Sequence, residues 1–209
     1  MMRTGAGSDH RAADDAVSAA PVRVKLWDPL LRGFHWLLAA AVIVTWCLGK
    51  FGPAKMTLHF WLGYLILGLL AFRLVWGFVG PAPARFSHFL RGPGSVLRYA
   101  GHMFSREPSY WPGHNPLGAL SVIAMIALLA AQATSGLFVD PDDYINIGPL
   151  ASSVSSATRK SMLSFHNLGA TLVLILVALH VGIILFYRFW KREDLVRPMI
   201  TGWKMVRRD

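Results

Sequence analysis

The sequence predicts an all-α integral membrane protein, a four-helix up-down bundle with sites between its helices. Three observations carry this. Of the 209 residues 54% are hydrophobic and only 15% charged, against about a quarter charged in an ordinary soluble domain. A soluble globule of this size would leave much of that apolar surface in water, so the bilayer is the better solvent. Four apolar stretches, at 30–49, 58–79, 117–138 and 162–190, each reach the twenty or so residues that a helix needs to cross about 30 Å of hydrocarbon.

The elements follow in order. Residues 1–22 are small, polar and charged, with no apolar signal-peptide core, and read as a flexible cytoplasmic tail; His10 in it has no assigned role. Residues 23–209 form the membrane domain. Gly52-Pro53 closes the first span, Gly80-Pro81 with Pro83 closes the second, and Asn115-Pro116 opens the third. The fourth is long enough to tilt or protrude. In the Gly/Pro-rich segment 80–116, Val96, Leu97, Ala100, Met103 and Phe104 recur at helical spacing between Arg98, His102 and Arg106, the pattern of an amphipathic helix lying on lipid headgroups. Segment 139–161 carries an Asp cluster and a Ser-rich run; it is a partner-docking loop or a solvated connector.

Charge sets the orientation. Of the 21 basic residues, sixteen lie before the first span, between the second and third, after the fourth or, as Arg32 and Arg188 do, at the adjoining ends of the first and fourth spans. Only Lys50, Lys55, Arg159 and Lys160 lie on the opposite side, with Asp140, Asp142 and Asp143. Lysine and arginine accumulate in cytoplasmic loops, so both termini are expected in the cytoplasm. Topology accounts for the net charge of +10 without a nucleic-acid partner. The single cysteine, Cys47, excludes an intrachain disulfide and any Cys-based zinc or iron–sulfur site. No catalytic Ser-His-Asp set, phosphate loop or intramembrane carboxylate pair is visible, which leaves proton-coupled transport without its usual groups.

Four of the eight histidines fall in or at the edge of a span: His35, His59, His166 and His180. Ionisable groups at membrane depth are costly and point to function. His166 and His180 share one helix; fourteen residues at about 100° each bring both rings to nearly one face, about 21 Å apart along the axis. By depth, His35 matches His180 near the cytoplasmic side and His59 matches His166 near the periplasmic side. Each couple draws on two helices, the way antiparallel bundles build cofactor sites. Two imidazoles are too few for a closed zinc site, whereas haem brings four ligands of its own and leaves two axial positions. Ala39, Ala40, Gly63, Gly169, Ala170 and Gly182 offer space for a flat macrocycle. Arg73, fourteen residues after His59, reaches the cytoplasmic-side level, there to meet a haem propionate or to snorkel to the headgroups. His88, His102 and His114 read as surface residues of the loop. Trp27, Trp36, Trp61, Trp76, Trp111 and Trp190 read as an interfacial belt.

The chain resembles the bacterial cytochrome b561 group, within the four-helix dihaem cytochromes b that include membrane subunits of nickel–iron hydrogenases and formate dehydrogenases. The likeness rests on WDPLLRGFHW at 27–36, LHFWLGY at 58–64, FRLVWGFVGP at 72–81, GHNPLG at 113–118, FHNLGATLVLILVALH at 165–180 and REDLVRPMITG at 192–202. It implies two haems b ligated by His35, His59, His166 and His180. It also implies electron transfer between the quinone pool and a periplasmic redox partner, a cytochrome c or an oxidoreductase subunit. The alternatives are a stand-alone superoxide:quinone oxidoreductase, with Lys50, Lys55, Arg159 and Lys160 steering the anion, and a non-redox membrane anchor. One departure is Asn167 and Gly169 after His166, where relatives often carry an acidic residue.

Overall fold

The computed structural model describes residues 22–109, 111 and 113–206; the tail expected over 1–22 lies, but for Val22, outside them. Four long helices dominate: α1 (Pro29–Phe51), α2 (Thr57–Val79), α5 (Pro116–Gly136) and α6 (Ser156–Phe189). Two short helices, α3 (Phe86–Phe89) and α4 (Pro93–Gly101), lie between α2 and α5, and α7 (Val196–Thr201) follows α6. Strands β1 (Val22–Lys25) and β2 (Trp203–Val206) pair antiparallel, Val22 opposite Val206 and Lys25 opposite Trp203. This small sheet joins the two ends of the described chain, a long-range pairing that local sequence pattern did not reveal.

The helix starts are written in the sequence. Asp28 accepts the Leu31 N–H at 2.9 Å and Asn115 the Gly118 N–H at 2.8 Å, each just before a proline in the first turn. Ser155 caps α6 through Thr158 N–H, seven residues before the apolar run begins, so α6 reaches 34 residues. The expected amphipathic helix stops at Gly101, leaving Met103 and Phe104 beyond it. At Gly202, φ is +85° and a Cβ would strike the Trp27 carbonyl 2.8 Å away. The tight turn there lets Gly202 O accept from both Leu26 and Trp27.

α1 packs on α2, α2 on α5, and α5 on α6. The central core is Ala41, Val42, Ile66, Leu70 and Val173, with Ile126 and Leu129 against it. Three inner lines of residues at seven-residue intervals emerge: His35, Val42, Gly49 on α1; His59, Ile66, Arg73 on α2; His166, Val173, His180 on α6. Seven residues are about two turns, or 10.5 Å, so an apolar plug separates two levels of polar residues. The outward faces carry exposed Leu37, Ile43, Leu65, Val75, Leu172 and Ile175, far more apolar surface than a soluble monomer tolerates. All four long helices have the length and hydropathy of membrane spans.

Trp27 departs from the expected belt. It is only 5% exposed and packs with Leu31 and Ala84 beneath the bundle, because the Gly202 turn draws the chain before α1 inward. Trp36, Trp61 and Trp190 are exposed.

Candidate functional site

The helices bring the four membrane histidines together two by two. The rings of His59 and His166 have centroids 6.2 Å apart, and those of His35 and His180 are 6.5 Å apart. An imidazole–metal bond is about 2.0–2.1 Å and the centroid lies about 1.1 Å behind the nitrogen, so two rings sharing one metal stand roughly 6.3 Å apart. Among the described residues no three His, Cys, Asp or Glu side chains converge on one point. A metal bound here must bring further ligands of its own, as haem does.

At the loop end of the bundle, backbone carbonyls set the histidine tautomers. His59 Nδ1–H donates to Thr45 O on α1 at 3.0 Å. His166 Nδ1–H donates to Gln132 O on α5 at 3.1 Å and to Ser135 Oγ at 3.0 Å, while the Ser135 hydroxyl donates to Gln132 O. With Nδ1 protonated, Nε2 of each ring is left with its lone pair for a metal. A cavity of about 500 Å³ surrounds these rings, lined among others by Trp46, Gly63, Ala133 and Ala170, within the size range of small-molecule sites. Trp46 Nε1–H donates to Ala170 O across it, tying α1 to α6. The donor set, ring separation and cavity together fit a haem.

The loop after α5 roofs this cavity. Asn146 accepts the Met56 N–H at 2.9 Å and donates to Ala54 O at 2.7 Å and to Asp143 at 2.6 Å. Segment 139–150 is thereby fastened to the α1–α2 turn rather than being a free connector. Backbone N–H groups of Asn146 and Ile145 on Asp143 hold that carboxyl below its usual range. Of the four basic residues expected to steer an anion, Lys50 lines the cavity and Arg159 is bound to Asp140 at 3.0 Å.

At the sheet end the surroundings differ. His35 Nδ1 is buried without a partner. Arg73 does not snorkel: it is 2% exposed, donates through Nη2 to Ala84 O and stacks 4.7 Å over Phe86, with Nη1 buried and unpartnered. Phe86 in turn occupies the space a Cβ on Gly77 would need.

His114 is half-buried rather than a free surface residue. Its ring lies 4.9 Å from both Trp27 and Phe89, and its Nδ1 is buried and unpartnered. Burial, then the positive charge of Lys204 and Arg73 and the nearby His180 and His35, lowers its pKa to about 3. Arg73, Ala84, Trp27, His114 and Phe89 thus form a closed ring of contacts beside the His35–His180 level. Below it a buried polar network holds the sheet: Lys204 lies 3.5 Å from Glu193 and donates to Trp111 O and Gly113 O, and Ser109 donates to Glu193 through N–H and hydroxyl. Burial also lowers the Lys204 pKa. Tyr99, Tyr187 and Asn115 join through their own bonds. His88 and His102 are exposed, as expected.

Of the small residues expected at the sites, Gly63 borders the cavity, but a Cβ on Gly182 would meet nothing. The glycines against the rings are Gly49 and Gly136. A Cβ there would lie 3.3 Å from His59 Cε1 and 3.0 Å from His166 Cε1. Gly49 had a legible signal, since it follows His35 by the same fourteen residues that separate His166 from His180. Thr45 and Gln132 had none, because it is their backbone carbonyls that act.

Four membrane-length helices enclosing paired imidazoles define a membrane cytochrome. The chain belongs to the prokaryotic cytochrome b561 family, whose model matches residues 26–202; it is a multi-pass membrane protein that binds b-type haem and transfers electrons. Relatives named "Probable Ni/Fe-hydrogenase B-type cytochrome subunit" include one from Azotobacter chroococcum mcd 1, 22% identical over all of this chain and 96% of its own. Others come from Rhizobium leguminosarum bv. viciae, 23% identical over 88% of this chain and 90% of its own, and Azotobacter vinelandii, 22% identical with coverage of 100% and 96%. No solved structure matches the chain.

Proposed function

We propose that the chain holds two haems b, one between His35 and His180 and one between His59 and His166, and carries electrons between the quinone pool and a periplasmic redox partner. The observation that carries this is the pair of imidazole couples, 6.5 and 6.2 Å apart, on either side of an apolar plug. Held by these imidazoles, haem b would supply a one-electron couple. The residues of the chain do the rest. Thr45 and Gln132 orient the loop-end rings, and Val42, Ile66 and Val173 exclude water between the levels. Arg73, a buried guanidinium with a free Nη1, would supply counter-charge to a carboxylate of a haem held at the sheet end. The uneven distribution of Lys and Arg supports cytoplasmic termini.

The partner favoured by the relatives' names is an oxidoreductase subunit of the hydrogenase type rather than a cytochrome c. The superoxide reading keeps Lys50 at the cavity but finds Arg159 already engaged by Asp140. Stopped-flow reduction by superoxide compared with reduction by a co-purified redox subunit separates the two. The central test is haem stoichiometry by pyridine haemochrome on the purified protein. Two haems per chain are expected, with one lost on His166→Ala and one on His180→Ala. Fewer than two in the native protein, or full retention in both variants, overturns the pairing.

A further inference from the structure

The two histidine levels are built differently, and the difference has a redox consequence. At the loop end the same device occurs twice. In α1, Thr45 supplies a carbonyl to His59 and Gly49, four residues on, lies against that ring; in α5, Gln132 supplies a carbonyl to His166 and Gly136, again four residues on, lies against that ring. In an α-helix the carbonyl of residue i is bonded by the N–H of i+4 and is flanked by that residue's side chain. Glycine at i+4 leaves the carbonyl open on that flank, so it accepts a second hydrogen bond from a neighbouring helix. At the sheet end His35 Nδ1 has no partner, and the buried cation Arg73 follows His59 on α2 by fourteen residues, the spacing that separates the two levels on α6.

A hydrogen bond from Nδ1–H to a carbonyl makes an imidazole a stronger electron donor to a metal. Stronger donation stabilises the ferric over the ferrous state, and a nearby buried cation does the opposite. We propose that Gly49 and Gly136 are positioning residues that open the Thr45 and Gln132 carbonyls to His59 and His166, and thereby make the haem of that level the lower-potential one of the two. The proposal rests on the bis-histidine reading above.

The test is a redox titration of the purified holoprotein, followed at the haem α-band and by low-spin ferric electron paramagnetic resonance. The native protein should titrate as two one-electron components. Gly136→Ala places a Cβ against His166 and weakens its bond to Gln132. It should move only the lower component, upwards, by up to about tenfold in its reduction equilibrium, which is about 59 mV for one electron. Gly182→Ala, in open space, should move neither. Should Gly136→Ala fail to hold its haem, Ser135→Ala, which removes one acceptor of the His166 N–H, should move the same component the same way. His35→Ala, retaining only the loop-end haem, should titrate at the lower value. A shift of the upper component, a downward shift, no shift in either variant, or the higher value in His35→Ala overturns the proposal. A native haem count below two instead overturns the bis-histidine reading itself, so the two failures are distinguishable.

Discussion

Lowering the pH from 7 to 5 should remove about 2 kcal/mol of folding stability through His114 alone. In the unfolded chain this imidazole takes a proton near 6.5, whereas in the folded protein burial and the neighbouring cations hold it to about 3. Between those values the unfolded state binds one more proton than the native state, so stability falls as pH falls. The loss begins just above 6.5, grows by about 1.4 kcal/mol per pH unit, and levels off only near 3. The geometry agrees with the sign: the ring packs between Trp27 and Phe89, and its Nδ1 is buried with no acceptor in reach. The assay is unfolding by sodium dodecyl sulfate in mixed micelles at pH 7 and pH 5, on the native protein and on His114→Phe. Phenylalanine keeps the aromatic contacts and has no proton to bind. The native protein should lose about 2 kcal/mol more than the variant on acidification; equal losses would refute the burial argument.

Two further predictions concern the ends of the bundle. Lys204→Met leaves Glu193 as a buried unpaired carboxylate, with side-chain exposures of 7% and 5% for the native pair, and should destabilise the protein by about 3–5 kcal/mol in the same assay; a cost under about 1 kcal/mol would mark the pair as equivalent to a surface one. Asn146→Ala strips the Met56 N–H and the Ala54 carbonyl of their partner. It should cost about 1–3 kcal/mol and open segment 139–150 to protease, read as faster limited proteolysis there with the bundle intact.

Much of the site is legible as spacing. The fourteen-residue interval from His166 to His180 specifies one face of one helix whatever surrounds it, since helical geometry alone relates the two rings. Matching depths then couple His35 with His180 and His59 with His166, the couples the bundle brings within 6.5 Å. His114 shows where this reasoning stops. Its place in the Gly/Pro-rich loop 80–116 reads as surface. Its burial comes from Trp27 and Phe89, residues far away in sequence whose approach depends on the β1–β2 pairing and on the turn at Gly202. The position of Arg73 leaves snorkelling and an inward role equally open, because depth says nothing about exposure. Phe86, arriving on α3 against Gly77, covers it.

Composition and periodicity by themselves determined that this chain lives in a bilayer, how many times it crosses, and which histidines lie at which depth. All three depend on helix rise, helix pitch and the cost of polar groups in hydrocarbon, which act within one segment. Tertiary structure decided which ring is held by a carbonyl, which glycine gives way to it, and which cation is sealed from water. Those outcomes depend on groups from different helices meeting to within a few tenths of an ångström, and backbone carbonyls, identical at every residue, leave no mark in the sequence of letters.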